Sequence, residues 1–232
     1  MRNKLSKKGF TLIELLIVIG ILAVLATTVV LVLNPAQILA ETRDTQRISD
    51  VSAVNSALGL FLATVPSPRI GSISLTGGIN GSCGGGASYA WRSSGAGNPI
   101  AAVPTANSPF LTPIGFTATS GSVSMPADNF RAIDSNGWVS ADLNGVSGGS
   151  PLATLPTDPS SGTVAAVASL DTTGHFYAFQ CGGVTASSTQ FELNANMESV
   201  KFGNGGGADV ETNDGGNQPN IYEVGNAPGL AL

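Results

Sequence analysis

The sequence predicts an α+β chain: a long N-terminal helix, membrane-spanning in its first half and amphipathic in its second, packed on a small antiparallel β-sheet domain. Three observations predict it. Leu15 to Leu33 is a run of 19 residues without a charge, long enough to span a bilayer as a helix. Ile48, Val51, Val54, Leu58, Phe61 and Leu62 then recur at three- and four-residue steps, which marks a helix with one apolar face. Late in the chain, short β-prone segments lie between Gly-rich stretches and read as antiparallel strands.

The head of the apolar run carries the most information. Arg2, Lys4, Lys7 and Lys8 are four of the ten basic residues, and a basic cluster before a spanning segment holds that end in the cytoplasm. The remainder has six basic against fifteen acidic residues, a net charge of −9, which argues against nonspecific binding to nucleic acid. An ordinary secretory leader has an apolar run of about 7–15 residues and then a small-residue cleavage site. Here the run is longer and leads into Asn34-Pro35-Ala36. A plain anchor fits the length but leaves Glu14 without a reason. A carboxylate among apolar residues costs roughly 2.5–3.5 kcal/mol on insertion scales, and no basic residue follows Lys8 until Arg43. A cut after Gly9 would create an amine at Phe10, four residues from Glu14 on one helix or within reach from a neighbouring one.

Lys7-Lys8-Gly9-Phe10-Thr11-Leu12-Ile13-Glu14 resembles the class III signal of type IV pilins and type II secretion pseudopilins. The resemblance implies a type IV pilin-like fold and cleavage between Gly9 and Phe10 by a prepilin peptidase, with N-methylation of Phe10. It also implies assembly through Phe10 and Glu14. The partners it implies are identical or related pilin subunits, the prepilin peptidase, an inner-membrane assembly platform with its ATPase, and membrane lipid before assembly. The chain would begin as a single-pass protein of the inner membrane with an external C-terminal domain and end in an extracellular filament or pseudopilus. Such a filament serves adhesion, motility, secretion or DNA uptake. A non-polymerising, membrane-anchored envelope domain that binds a ligand or surface is the other reading of the chain.

The expected organisation is a cleaved leader over 1–9, a spanning and polymerising helix over 10–33, and an amphipathic helix over 34–63. A variable Gly/Ser/Pro-rich connection covers 64–135, and a β-sheet domain with an acidic Gly-rich loop covers 136–232. Pro35 either kinks one helix or, with Asn34 as cap, opens a second. Glu41, Arg43, Asp44, Arg47 and Asp50 mark the polar part of the second half, and Pro66 and Pro68 stop it. A continuous helix over this length would measure roughly 80 Å. In the connection, short β segments are expected near Ile70–Thr76 and Ser88–Arg92.

Stronger strand candidates are Trp138 to Leu143, after the Asn136-Gly137 turn signal, and His175 to Cys181 with Thr189 to Ala195 as an antiparallel pair. Leu155-Pro156-Thr157-Asp158-Pro159 resembles an element of major pseudopilins, and equally reads as a rigid turn fixed by its prolines.

Cys83 and Cys181, the only cysteines, contain no C-x-x-C spacing, so a zinc ribbon and a thioredoxin site are excluded. Outside the cytoplasm they are candidates for a disulfide; two free thiols are the alternative. Asp209, Glu211 and Asp214 lie on a Gly-rich tail and supply the hard oxygens calcium takes. The loop is not an EF-hand, because its sixth and twelfth positions from Asp209 are Asp214 and Asn220. Major pseudopilins are similar in carrying a C-terminal calcium loop; a solvated acidic loop is the other reading. No further cofactor is expected. Gly145-Val146-Ser147-Gly148-Gly149 fits G-x-S-x-G, but the single histidine, His175, lies in an expected strand, so the chain reads as no enzyme. Gly203 to Ala208 mimics a dinucleotide fingerprint without βαβ context. There is no P-loop, so energy for assembly must come from another protein.

Overall fold

The computed structural model describes residues 9–68, 70, 73–74, 80–81, 89–93, 131–135, 137–139, 141–160, 175, 177–182 and 189–229. The chain falls into two compact units, Met1–Leu39 and Ala40–Leu232.

Helix α1 (Leu12–Leu33) dominates the first unit. It is apolar on every side, and each of its side chains whose environment is described is exposed. A helix of that kind is built for an apolar surround rather than for water. Its two threonines fit this: the hydroxyls of Thr27 and Thr28 donate to the Val24 carbonyl at 2.8 and 2.9 Å and need no solvent partner. Asn34 ends the helix in the left-handed region, at φ 39°, a conformation that Asn tolerates well among L residues. Its carbonyl accepts the N–H groups of Gln37 and Ile38. A second helix, α2 (Pro35–Thr64), therefore starts at Pro35, where the missing proline N–H costs nothing. Of the two readings of Pro35, the structure takes the second.

The second unit is organised on the part of α2 from Ala40 onward. Its buried stripe is Ala40, Asp44, Arg47, Val51, Val54, Ala57, Leu58 and Phe61, spaced as one helical face requires. Pro66 and Pro68 end α2 as expected: Val65 donates to the Phe61 carbonyl at 3.0 Å, and Ser67 turns left-handed at φ 56°.

That stripe corrects one expectation. Asp44 and Arg47 are not on a solvated face; both side chains are fully buried. Arg47 donates from Nε and Nη2 to the two oxygens of Asp158 at 2.7 and 3.0 Å. Nη1 reaches Asp44 at 2.6 Å and Glu198 at 3.3 Å, and Nη2 reaches Ser160 at 2.8 Å. Asp44 also accepts the N–H groups of Glu198 and Ser199 at 2.9 and 2.7 Å, and Arg43 pairs with Glu198. Burial opposes the Arg47 charge, but Asp158 and Asp44 outweigh it and hold its pKa above the ordinary arginine value. The Arg43 hydrogen bond, against some desolvation, draws Glu198 down to about 2.

The Leu-Pro-Thr-Asp-Pro element is the other half of this clamp and does more than turn. Leu155 is fully buried, the Pro156 carbonyl accepts the Trp138 indole N–H at 2.9 Å, and Asp158 takes the Arg47 fork. Arg131 donates to the Leu155 carbonyl at 2.9 Å and receives the Leu155 N–H on its own.

Two short strands, β1 (Ile73–Ser74) and β2 (Asn80–Gly81), form an antiparallel pair. Four more, β3 (Tyr89–Ser93), β4 (Tyr177–Gly182), β5 (Gln190–Ala195) and β6 (Tyr222–Gly225), form one antiparallel sheet in the order β3-β4-β5-β6. Tyr177, Phe179 and Cys181 of β4 and Phe191, Leu193 and Ala195 of β5 alternate onto one face and pack into the core with Val51, Val54, Leu58 and Phe61. The β4–β5 pair stands where the sequence puts it, and β3 forms at the expected Ser88–Arg92 segment. The sheet therefore draws a strand from the 64–135 connection.

The expected strand from Trp138 to Leu143 does not form. Ala141 and Asp142 make single bridges to Ile70 and Asp134, and Leu143–Gly145 is a 3-10 turn with Asp142 accepting the Asn144 N–H. The Asn136-Gly137 turn signal misleads because packing claims the side chains that follow it. Trp138 is fully buried, its ring 5.9 Å from that of Tyr177. Gly137 presses on the preceding backbone so closely that a Cβ would meet the Ala132 oxygen at 1.9 Å.

The other face of the sheet carries Glu192, Asn194 and Glu223, all buried. Desolvation, and then Glu192, push the Glu223 carboxyl well above the ordinary carboxylate range. Glu223 anchors the tail: its Oε2 accepts the Gln218 N–H at 2.8 Å, and its own N–H goes to Asp214 at 2.6 Å.

Candidate functional site

The basic residues Arg2, Lys4, Lys7 and Lys8 lie outside the described residues. Gly9 and Phe10 precede α1 and are not helical. Phe10 is 88% exposed, and a Cβ built at Gly9 would meet nothing within 4 Å among the described residues. Thr11 caps the helix, with extended backbone at φ −83° and ψ 151°. Its hydroxyl oxygen accepts the Glu14 N–H at 3.3 Å. In return Glu14 Oε2 accepts both the Thr11 N–H and the Thr11 hydroxyl, each at 2.8 Å. This is a capping box, which satisfies two of the donors that a helix start leaves unpaired. Glu14 thus has a partner inside its own helix. Thr11 is the residue the sequence reading leaves out, although Thr-x-x-Glu before an apolar run is the capping-box spacing.

The acidic tail is organised by its own carboxylates. Asp209 accepts the N–H groups of Gly205, Glu211 and Thr212 and the Thr212 hydroxyl, and those Thr212 bonds above all lower its pKa. Glu211, buried, accepts the N–H groups of Met197 and Asn204 at 3.0 and 2.9 Å; burial raises it. Asp214 accepts from Gly216 and Glu223 at 2.8 and 2.6 Å. Among the described residues no group of three or more His, Cys, Asp or Glu side chains is placed to hold a metal ion. A calcium ion at these residues would have to take oxygens that now hold backbone N–H groups.

Ser147 follows a 3-10 turn, not a strand, and Gly148 after it is at φ 97°, so no nucleophile elbow surrounds it. The Gly203–Ala208 stretch is closed by turns, including Ala208 N–H to the Lys201 carbonyl at 2.9 Å.

Cys181 is fully buried on β4 and disulfide-bonded. Cys83 lies outside the described residues, and its pairing with Cys181 is a proposal. Non-reducing mass mapping of native protein is expected to recover one cross-linked peptide pair; two free thiols would reject the bond.

Comparison with known proteins gives one result. Residues 4–30 match the family model described as the prokaryotic N-terminal methylation motif. No curated protein and no solved structure matches the chain. The match spans the basic segment, Gly9, Phe10, the capping box and most of α1. At the head of a long apolar helix, this chain carries the class III signal of type IV pilins and pseudopilins.

Proposed function

We propose that the chain is a structural subunit, pilin or pseudopilin, of a type IV pilus-like filament, cut between Gly9 and Phe10 and polymerised through α1. The observation that carries this reading is the methylation motif lying directly on a helix that is apolar on every side and exposed on every side. Such a surface is stable in lipid before assembly, and against copies of itself afterwards. Gly9 is open to the cut: among the described residues nothing lies within 4 Å of a Cβ built there, so it is not packed against the fold. In this reading Glu14 pairs with the Phe10 amine of a neighbouring subunit as the helix leaves the bilayer.

Intact-mass analysis of membrane and filament material is expected to show a chain that begins at Phe10 and carries one added methyl. Gly9→Leu should leave an uncut precursor in the membrane. A mature chain beginning after residue 25 would replace this reading with ordinary secretion. Antibody imaging of whole cells is the companion measurement, with filaments expected from wild-type cells and none from Gly9→Leu cells.

A further inference from the structure

Strand β6 is an edge of the sheet. Among the described residues it pairs with β5 alone, so every second residue turns its backbone groups outward. The hydrogen bond from the Glu223 N–H to Asp214 at 2.6 Å shows which residues these are: Glu223 and, two further on, Gly225. Asp214 fills the place of one strand carbonyl and goes no further. The Glu223 carbonyl and the outward N–H and carbonyl of Gly225 bond to no backbone group among the described residues beyond the sheet. Beside them runs a groove of about 330 Å³, lined by β6 together with Asp209, Val210, Asp214 and Pro228 and by no Lys, Arg or His. Asp209 and Asp214 join none of the ion pairs among the described residues. They accept from backbone N–H groups and the Thr212 hydroxyl, all of them neutral donors.

We propose that the β6 edge docks an extended segment of a partner protein, one in which basic and apolar residues alternate, by strand addition at Gly225. Strand addition draws affinity from main-chain hydrogen bonds and specificity from the side chains that alternate along the added strand. The outward groups of Glu223 and Gly225 supply the first. For the second, the groove sets two carboxylates without a counter-charge beside the half-buried Val210, Tyr222 and Val224. Basic side chains answer the carboxylates and apolar ones the rest. Opposite charge across such a surface steers the encounter and rejects acidic segments. A second copy of this chain does not supply the segment, because no two of its basic residues after Lys8 stand two positions apart. The docking is independent of whether the chain polymerises.

The test uses the full-length chain in a non-ionic detergent. The probe is a blocked peptide of three Lys-Val repeats, and a Glu-Val peptide of the same length is the control. The Lys-Val peptide is expected to bind with a Kd of about 1 mM or tighter at low salt, and to weaken as salt screens the carboxylates. With nine-tenths of the sites filled, the Gly225 amide should exchange with solvent about ten-fold more slowly, since only the empty tenth is open to exchange. Asn213→Lys places a cation at an exposed position of the groove wall and should weaken the peptide about ten-fold, while Asn213→Gln should bind as wild type does. The exchange of Gly225 is read on the wild-type chain, so it decides the matter without any variant. Absence of binding by the Lys-Val peptide, equal binding of both peptides, or binding that leaves Gly225 exchange unchanged would overturn the proposal. Protection of Gly225 in the chain alone, rising with protein concentration, would put a second copy on the edge and overturn the basic partner.

Discussion

Arg47→Met is expected to destabilise the Ala40–Leu232 unit by about 3–5 kcal/mol, the usual cost of stranding buried charges by removing their partner. Asp44 and Asp158 are both buried beside Arg47, and the methionine would take from both the guanidinium that they share. Asp158 would lose its two-pronged contact at 2.7 and 3.0 Å. In a unit of this size such a loss lowers the melting temperature by roughly 10 °C, measured on full-length protein in detergent. Asp158→Leu alone should also be costly, since Arg47 then keeps as charged partners Asp44 and the more distant Glu198 at 3.3 Å. The double variant Arg47→Met, Asp158→Leu should recover part of the loss, because a buried pair replaced by packed apolar groups is often tolerated. Glu198 behaves differently. Arg43 first, and Arg47 after it, hold its folded pKa near 2, below the ordinary 4.5. Its contribution is complete above about 4.5 and is lost as pH falls toward 2. A melting temperature within about 2 °C of wild type for Arg47→Met would mean that the clamp is not structural.

The clamp shows where sequence reading stops. The stripe from Val51 to Phe61 is legible because an apolar residue can be buried by its own chemistry. Asp44 and Arg47 share that stripe, but a charge enters it only when a partner arrives from elsewhere. The partners are 111 and 151 residues away, at Asp158 and Glu198. Spacing within the helix cannot announce them. The same holds for Leu155-Pro156-Thr157-Asp158-Pro159, whose prolines predict a rigid turn but not what the turn delivers. Trp138 to Leu143 fails for a related reason. Its Asn136-Gly137 turn signal is followed by a buried indole and close backbone contact rather than by a ladder. Strand β6 is hidden because Tyr222–Gly225 sits in an acidic, Gly-rich tail, and what makes it a strand is its pairing with β5, about 30 residues earlier.

The N-terminal site was far more legible, because its chemistry is local. Gly9, Phe10 and Glu14 stand at fixed spacing in a few residues, and the matching motif covers them. What spacing did not deliver was the use of Glu14 inside its own helix. A search for a cation partner looks outward to Arg43 and to the Phe10 amine, and passes over the neutral donors of Thr11 at 2.8 Å.

Those donors sharpen what removal of Glu14 should do. Glu14→Val takes an acid out of an apolar run, and should ease membrane insertion by roughly 2.5–3.5 kcal/mol. If Glu14 only endures its position by lying near the interface, that gain comes without loss and filaments form as before. If it pairs with a neighbour's Phe10 amine, the subunit is cut and held in the membrane while filaments fall to background. Valine also breaks the capping box, worth about 1 kcal/mol, so a second variant is needed to separate charge from cap. Glu14→Gln supplies it: glutamine can close the same box but has no charge to offer an amine. Loss of filaments in both variants, with normal cleavage at Gly9–Phe10, is the result expected of charge pairing. Loss in Glu14→Val with normal filaments from Glu14→Gln would place the requirement on the cap alone. Abundant filaments from both would discard pairing and leave α1 as an anchor whose carboxylate is held by Thr11 for the sake of its own helix.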